Sequence, residues 1–242
     1  REGVVQRPCP YRLAAIVVVL WLATWVPAAA QCFGNVQGAT DDLATLDVTT
    51  GLVTTIPDAA VIPGFMAAYA YDPFTDTLFG AQGGGGTGTG TGIVFSVNRL
   101  TGAHTDLGAA GGSLLPGTAA IGDMAVRPTD GALFGVFIPT TGVAPPVRGT
   151  TPSIGTINKT TGVATLVGAT GTPAASGCAL EFDAAGTLFY ADTTGLYTIN
   201  QATGAATLGA ALTFTGFPAP VGTRRPFGMG RAPNGVIQIG IR

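Results

Sequence analysis

From residue 43 onward, apolar and polar positions alternate in short runs separated by turn-forming residues. Leu196-Tyr-Thr-Ile-Asn200 before a Thr-Gly pair and Ala205-Ala-Thr-Leu208 after it show a period of two, the pattern of a half-buried β-hairpin. The same phrase occurs at Asp47-Val-Thr-Thr-Gly51, Asn98-Arg-Leu-Thr-Gly102, Asn158-Lys-Thr-Thr-Gly162 and Asn200-Gln-Ala-Thr-Gly204. A second phrase alternates with it: Tyr71-Asp-Pro-Phe-Thr-Asp-Thr-Leu-Phe79, Val126-Arg-Pro-Thr-Asp-Gly-Ala-Leu-Phe134, Phe182-Asp-Ala-Ala-Gly-Thr-Leu-Phe189 and Arg231-Ala-Pro-Asn-Gly-Val-Ile237. Pro, Asp, Asn and Gly at its centre are the residues a tight turn requires. Each repeat therefore predicts two hairpins and four strands.

The repeats recur at roughly 40 to 60 residues, close to the ~40 to 50 of propeller blades and longer than the repeats of most solenoids. The phrases Leu196-Tyr-Thr-Ile-Asn-Gln-Ala-Thr-Gly204 and Tyr71-Asp-Pro resemble those of secreted bacterial β-propeller repeats of the YVTN, NHL and quinoprotein-like kind, over residues 43–242. The resemblance implies an all-β propeller with four four-stranded repeats visible, either a whole small propeller or a piece of a larger one. It also implies that the strand before each Asp-Pro type turn is innermost. Residues 65–71, 121–126, 177–182 and 227–231 would then line a central channel. Under that assignment the last two strands would complete a blade with those at 43–48 and 52–56. A β-sandwich competes, since it also has short strands at regular spacing, but it has no reason to repeat two phrases in alternation.

Composition agrees with turns and strands. Gly counts 38 residues and Pro 17 while charged residues are only 10 percent, and the 46 percent hydrophobic content suffices for a core. The first thirty residues read differently. Arg1, Arg7 and Arg12 form a basic leader, Leu13 to Val26 an apolar stretch, and Pro27-Ala28-Ala29-Ala30 a small-x-small end, the three parts of a secretory signal. The expectation is a signal peptide over 1–30 cleaved after Ala30, a lead-in over 31–42, a propeller domain over 43–242, and a secreted or periplasmic protein without a membrane anchor. An uncleaved anchor is the alternative, and Gln31 before Cys32 argues against lipidation. Without residues 1–30, acidic residues outnumber basic ones, and no basic run exceeds Arg224-Arg225, which excludes a nucleic-acid partner. Cys32 and Cys178 can form one bridge at most, and separate thiols are an equal reading.

Antiparallel strands put both kinds of turn on one face and every long, dissimilar connection on the other: 57–64, 81–92, 107–120, 139–152, 168–176 and 209–226. Variable loops on a rigid scaffold are where binding resides, so a ligand is expected there, over the channel mouth. Four residues are its candidates. Glu181, the only Glu after residue 30, interrupts an inner strand where the other repeats have Ala70, Ala125 and Gly230; it is a general acid, a ligand contact, or a carboxylate satisfied by a neighbouring Arg. Asp123 opens another inner strand, and Arg224 and Arg225 precede the last. Each reads either as a ligand contact or as ordinary solvated charge.

Other motifs lack their mechanism. Gly83 to Gly92 has no Gly-Lys-Ser/Thr ending, so it makes no phosphate cradle. His104 is the only histidine and falls beside a turn, remote from the loops. Zinc needs several His or Cys, and Asp41-Asp42 lacks the spacing of a calcium loop. Asn158-Lys-Thr160 fits a glycosylation acceptor, but it is part of the repeated turn. No cofactor is assigned. The leading expectation is a non-enzymatic binder of a protein, glycan or small ligand. The alternatives are a propeller lyase, hydrolase or quinoprotein-like enzyme using the channel, and a self-associating structural protein.

Overall fold

The computed structural model describes residues 31–36, 42–47, 50, 52–56, 66–82, 92–109, 119–139, 151–173, 178–212, 226–231 and 237–241. The expected signal segment and most of the long connections lie outside them, as do Arg224 and Arg225. Every regular element among the described residues is a strand. No helix among them is long and apolar enough to cross a membrane.

Three complete four-stranded antiparallel sheets follow the two-hairpin repeat. The first is β4 (Met66–Asp72), β5 (Thr77–Gln82), β6 (Ile93–Val97) and β7 (His104–Ala109). The second is β8 (Ala119–Val126), β9 (Leu133–Pro139), β10 (Ser153–Ile157) and β11 (Ala164–Ala169), and the third is β12 (Ala179–Phe182), β13 (Leu188–Ala191), β14 (Gly195–Ile199) and β15 (Ala206–Ala211). They are called blades two, three and four. Before them stand β1 (Gln31–Val36), β2 (Asp42–Asp47) and β3 (Val53–Ile56) as a three-stranded blade one, and after them β16 (Pro226–Arg231) pairs with β17 (Ile237–Ile241). β4, β8, β12 and β16 lie side by side, as inner strands of successive blades must.

The expected completion of a blade from both ends is not what forms. β1 pairs with β2 from Gln31 opposite Asp47 to Val36 opposite Asp42, and so fills the edge that the last hairpin was expected to take. The stretch read as a lead-in therefore contains a strand. Its residues, QCFGNV, carry no clear alternation of apolar and polar positions, so nothing local announces it.

Middle strands alternate between two cores. Leu133 and Phe137 of β9 join a cluster with Ala68, Phe79 and Val94 of blade two, while Phe134, Val136 and Ile138 join one with Leu180, Phe182, Leu188 and Tyr190 of blade four. A third cluster joins Leu43 to Leu78, Phe95 and Val97 across blades one and two. Because a strand sandwiched between neighbouring blades buries both its faces, β9 reads as a nearly continuous apolar run. The outermost strand β15 is instead mostly exposed.

The turn phrase is explained bond by bond. Asn98 Oδ1 accepts the Leu100 and Thr101 amides, the Gly102 amide donates to the Asn98 carbonyl, and the Ala103 amide donates to Thr101 Oγ1. The same set recurs at Asn158 and Asn200. Gly102, Gly162 and Gly204 sit at φ of 72°, 68° and 77°, in the left-handed region that glycine enters without a Cβ clash. Asn158 thus spends its side-chain oxygen inside a turn, which accounts for the acceptor-like sequence there.

Candidate functional site

The two classes of turn share one face and are fastened to one another. Arg99 makes two hydrogen bonds to Asp76 at 2.9 and 3.1 Å within blade two. Lys159 of blade three reaches back to Asp72 of blade two at 2.7 Å, and Arg127 of blade three donates to Gln201 of blade four at 2.8 Å. Gln201 in turn donates to the Gly186 carbonyl at 2.7 Å. Arg127 also pairs with Asp130 and lies over the Phe134 ring. Arg99, Lys159 and Gln201 hold the same place after Asn in the repeated phrase, so one position of the repeat serves as the fastener. Asp72 is fully buried; burial pushes its carboxyl up, but hydrogen bonds from Lys159, Thr75 and the Phe74 amide outweigh it and hold it below the usual range.

The long connections all leave from the opposite ends of the strands. Apart from residues 168–173 and the short turn at 192–195, they fall mainly outside the described residues.

The four predicted site residues part company. Asp123 is the fifth residue of β8, 4 % exposed, and no solvated loop charge. It follows Gly122, where the register with β9 slips by one residue; a Cβ on Gly122 would run into the Cys178 sulfur. The bulge turns the Asp123 carboxylate toward the neighbouring inner strands. It accepts the Leu180 amide of β12 at 2.7 Å, the Met124 amide at 2.9 Å, and the Met229 amide of β16. Burial nevertheless pushes its carboxyl well above the usual carboxylate range, and the negative charge of Glu181 adds to the rise.

Glu181 lies on β12, half-buried, and accepts its neighbour's Phe182 amide at 2.8 Å. It stands close enough to Asp123 for the two charges to repel, so the structure brings these two candidates together. Arg224 and Arg225 lie outside the described residues, as does the Cys32 side chain. His104 opens the outer strand β7 and packs edge-on against Phe95 with ring centroids 5.2 Å apart, away from the channel.

A second polar group, unmarked in the sequence reading, lies in the seam between blades three and four. It contains Tyr190, Asp192, Thr170 and Thr172, each at most 6 % exposed. Asp192 Oδ1 accepts the Thr194 amide at 2.7 Å, the Thr194 hydroxyl at 2.5 Å and the Gly195 amide at 3.1 Å. Thr194 also bonds the Tyr197 hydroxyl at 2.6 Å, and the Tyr197 ring lies against Tyr190. Burial pushes the Tyr190 phenol far up, Cys178 and Asp192 add to it, and the Thr172 hydroxyl acts in the opposite sense. A signal did exist in the sequence: Leu-Phe-Gly at 78–80 and 133–135 becomes Leu188-Phe-Tyr190 in this blade alone.

No protein-family model matches the chain, and no curated protein matches it in sequence. Solved structures match by fold. A structural genomics protein of unknown function from Bacteroides thetaiotaomicron superposes with a TM-score of 0.56 at 18% identity, over 88% of this chain and 50% of its own. A nidogen/laminin complex matches with a TM-score of 0.50 at 14% identity, over 80% and 61% of the two chains. A gluconolactonase from Xanthomonas campestris matches with a TM-score of 0.50 at 15% identity, over 82% and 62%. The chain thus spans about half to three fifths of the length of these structures. They are β-propeller proteins, and the sheets described above have the architecture of part of such a propeller. At these identities the likeness establishes fold, and its bearers include an enzyme as well as a protein of unknown function.

Proposed function

We propose that this is an exported propeller that binds a protein, glycan or small ligand through the face carrying the long connections, without catalysing a reaction. The observation that supports it most is the division of labour between faces. On the turn face the polar groups are engaged with one another, through Asx turns within blades and ion pairs or amide bonds between them. The connections that differ from repeat to repeat leave from the other face, where variation leaves the scaffold intact. Export rests on the signal-like first thirty residues.

The decisive experiment replaces residues 83–91 and 140–150 by short Asn-Gly turns and measures binding to a panel of soluble cell-wall glycans and sugars by ligand-dependent melting. A ligand that stabilises the parent chain and not the loop-replaced one is the expected result. Binding that survives the replacements and is lost on Phe74→Ser with Leu100→Ser, two exposed turn-face residues, would move the site to the other face.

A second reading, an enzyme working in the channel, is favoured by one observation, the raised Asp123 carboxyl beside Glu181. The bonds of Asp123 favour a structural role, because three main-chain amides, of Met124, Leu180 and Met229, tie its carboxyl between β8, β12 and β16. Glu181 is left as the group to test, and Glu181→Gln with unchanged turnover of any substrate found would end this reading.

A further inference from the structure

Blades three and four meet at a seam that leaves polar oxygens unsatisfied. Of the six buried polar or charged residues among those described, three (Thr170, Thr172 and Asp192) belong to it, and the Tyr190 phenol is a fourth oxygen there. Asp192 and Tyr190 both have 0 % exposure. Yet Asp192 Oδ2 has no hydrogen-bond partner, and the Tyr190 hydroxyl has none of standard geometry, its nearest polar neighbour being the Thr172 hydroxyl. They are two residues apart at the end of β13, and the Asp192 carboxyl lies near enough to act on the Tyr190 phenol. Nearby, Thr170 Oγ1 bonds the Pro152 carbonyl at 3.0 Å and the Thr172 hydroxyl at 2.9 Å, which adds neutral oxygens already ordered for another partner.

A buried carboxylate oxygen without a donor costs about 1–3 kcal/mol or more, so native structures rarely leave one empty-handed. Either a proton, a water or a cation must answer it. The neighbouring protein donors are committed on the Oδ1 side, where three hydrogen bonds converge. What remains is a carboxyl oxygen in a seam that also buries the Tyr190, Thr170 and Thr172 hydroxyls. Hard oxygens of this kind suit a hard ion, while the lone Cys178 thiol bordering Tyr190 is no basis for a soft one.

We propose that the seam between blades three and four binds a single calcium-class cation at Asp192 Oδ2, with the Tyr190 and Thr172 hydroxyls as neutral oxygen neighbours and water completing the shell. With one carboxylate the affinity is expected in roughly the 10⁻⁴ to 10⁻³ M range typical of extracellular modules. The ion joins the turn at Asp192 to the connection holding Thr172, and so couples two blades. It is visible only as a departure from the repeat, because Tyr190 stands where the other blades have Gly80 and Gly135.

The test uses the chain as it stands, stripped with chelator and titrated with Ca²⁺ alone while its melting temperature is followed. A rise of several degrees in the parent chain that is abolished in Asp192→Asn supports the site; Asn keeps the Oδ1 contacts with Thr194 and Gly195. Tb³⁺ provides a second reading, since Tyr190 and Tyr197, with ring centroids 5.8 Å apart, would sensitise its emission, and Ca²⁺ should quench that signal by competition. No calcium dependence together with no sensitised emission overturns the proposal, and so does an equal response in Asp192→Asn. If that variant does not fold, Tyr190→Phe decides: a several-fold weaker Tb³⁺ half-saturation supports the site, and an unchanged one overturns it.

Discussion

Gly108 and Gly168 show how far one missing side chain can matter. Each lies six residues beyond the glycine of its own Thr-Gly turn and abuts the corresponding turn of the next blade. A Cβ at Gly108 would stand 2.6 Å from the Thr161 carbonyl oxygen, and one at Gly168 would collide with the Thr203 carbonyl. Gly108 also has a φ of 138°, which L side chains rarely adopt. Main chain cannot yield as a flexible side chain can, so Gly108→Ala and Gly168→Ala should each destabilise the fold by more than about 1 kcal/mol. Ala210, six residues beyond Gly204, already carries a methyl group, and Ala210→Gly is expected to change stability only slightly. Chemical denaturation of the three variants checks this contrast. Asp76 illustrates the reverse choice: it holds a φ of 50° where the next blade has Gly131, and its carboxylate pairs with Arg99.

Strands and turns are held across blades by two buried carboxylates of opposite temper. Asp72 is kept ionised by Lys159, so its stabilisation is present above the unfolded carboxyl value near pH 4 and fades as pH falls through its lower folded value. Asp123 is shifted the other way. In the window between pH 4 and its raised folded value the native state binds the extra proton, so the parent chain loses stability as pH climbs through that window. The penalty for Asp72→Asn should therefore grow with rising pH, and that for Asp123→Asn should shrink. Each penalty is about 1–3 kcal/mol at its largest, since each variant leaves hydrogen-bonding groups without their partner. Melting curves of both variants from pH 3 to pH 8 test the opposed slopes; parallel slopes would contradict the assignment of Asp123 as a buried clamp between β8, β12 and β16.

At the scale of the molecule, cores lie between blades rather than within them, so protection should follow radial position more than chain order. Hydrogen exchange is expected to be slowest in β8, β9, β12 and β13 and fastest in β3 and β15, whose side chains are largely exposed. Uniform protection from inner to outer strands would argue against that layering. The repeated phrases determined strand, turn and blade rhythm from the sequence alone, because Asx turns, left-handed glycines and period-two burial are satisfied by residues a few positions apart. Glu181 is legible as a departure from the repeat and Asp123 as a charge opening an inner strand, but their surroundings are not. The contact of Asp123 with Leu180 spans 57 positions, and that of Lys159 with Asp72 spans 87. Which edge β1 would occupy, which carboxylate would be clamped by amides, and which oxygens of Tyr190 and Asp192 would be stranded in a seam depend on how whole blades abut. That is a matter of long-range packing, and only the tertiary structure decides it.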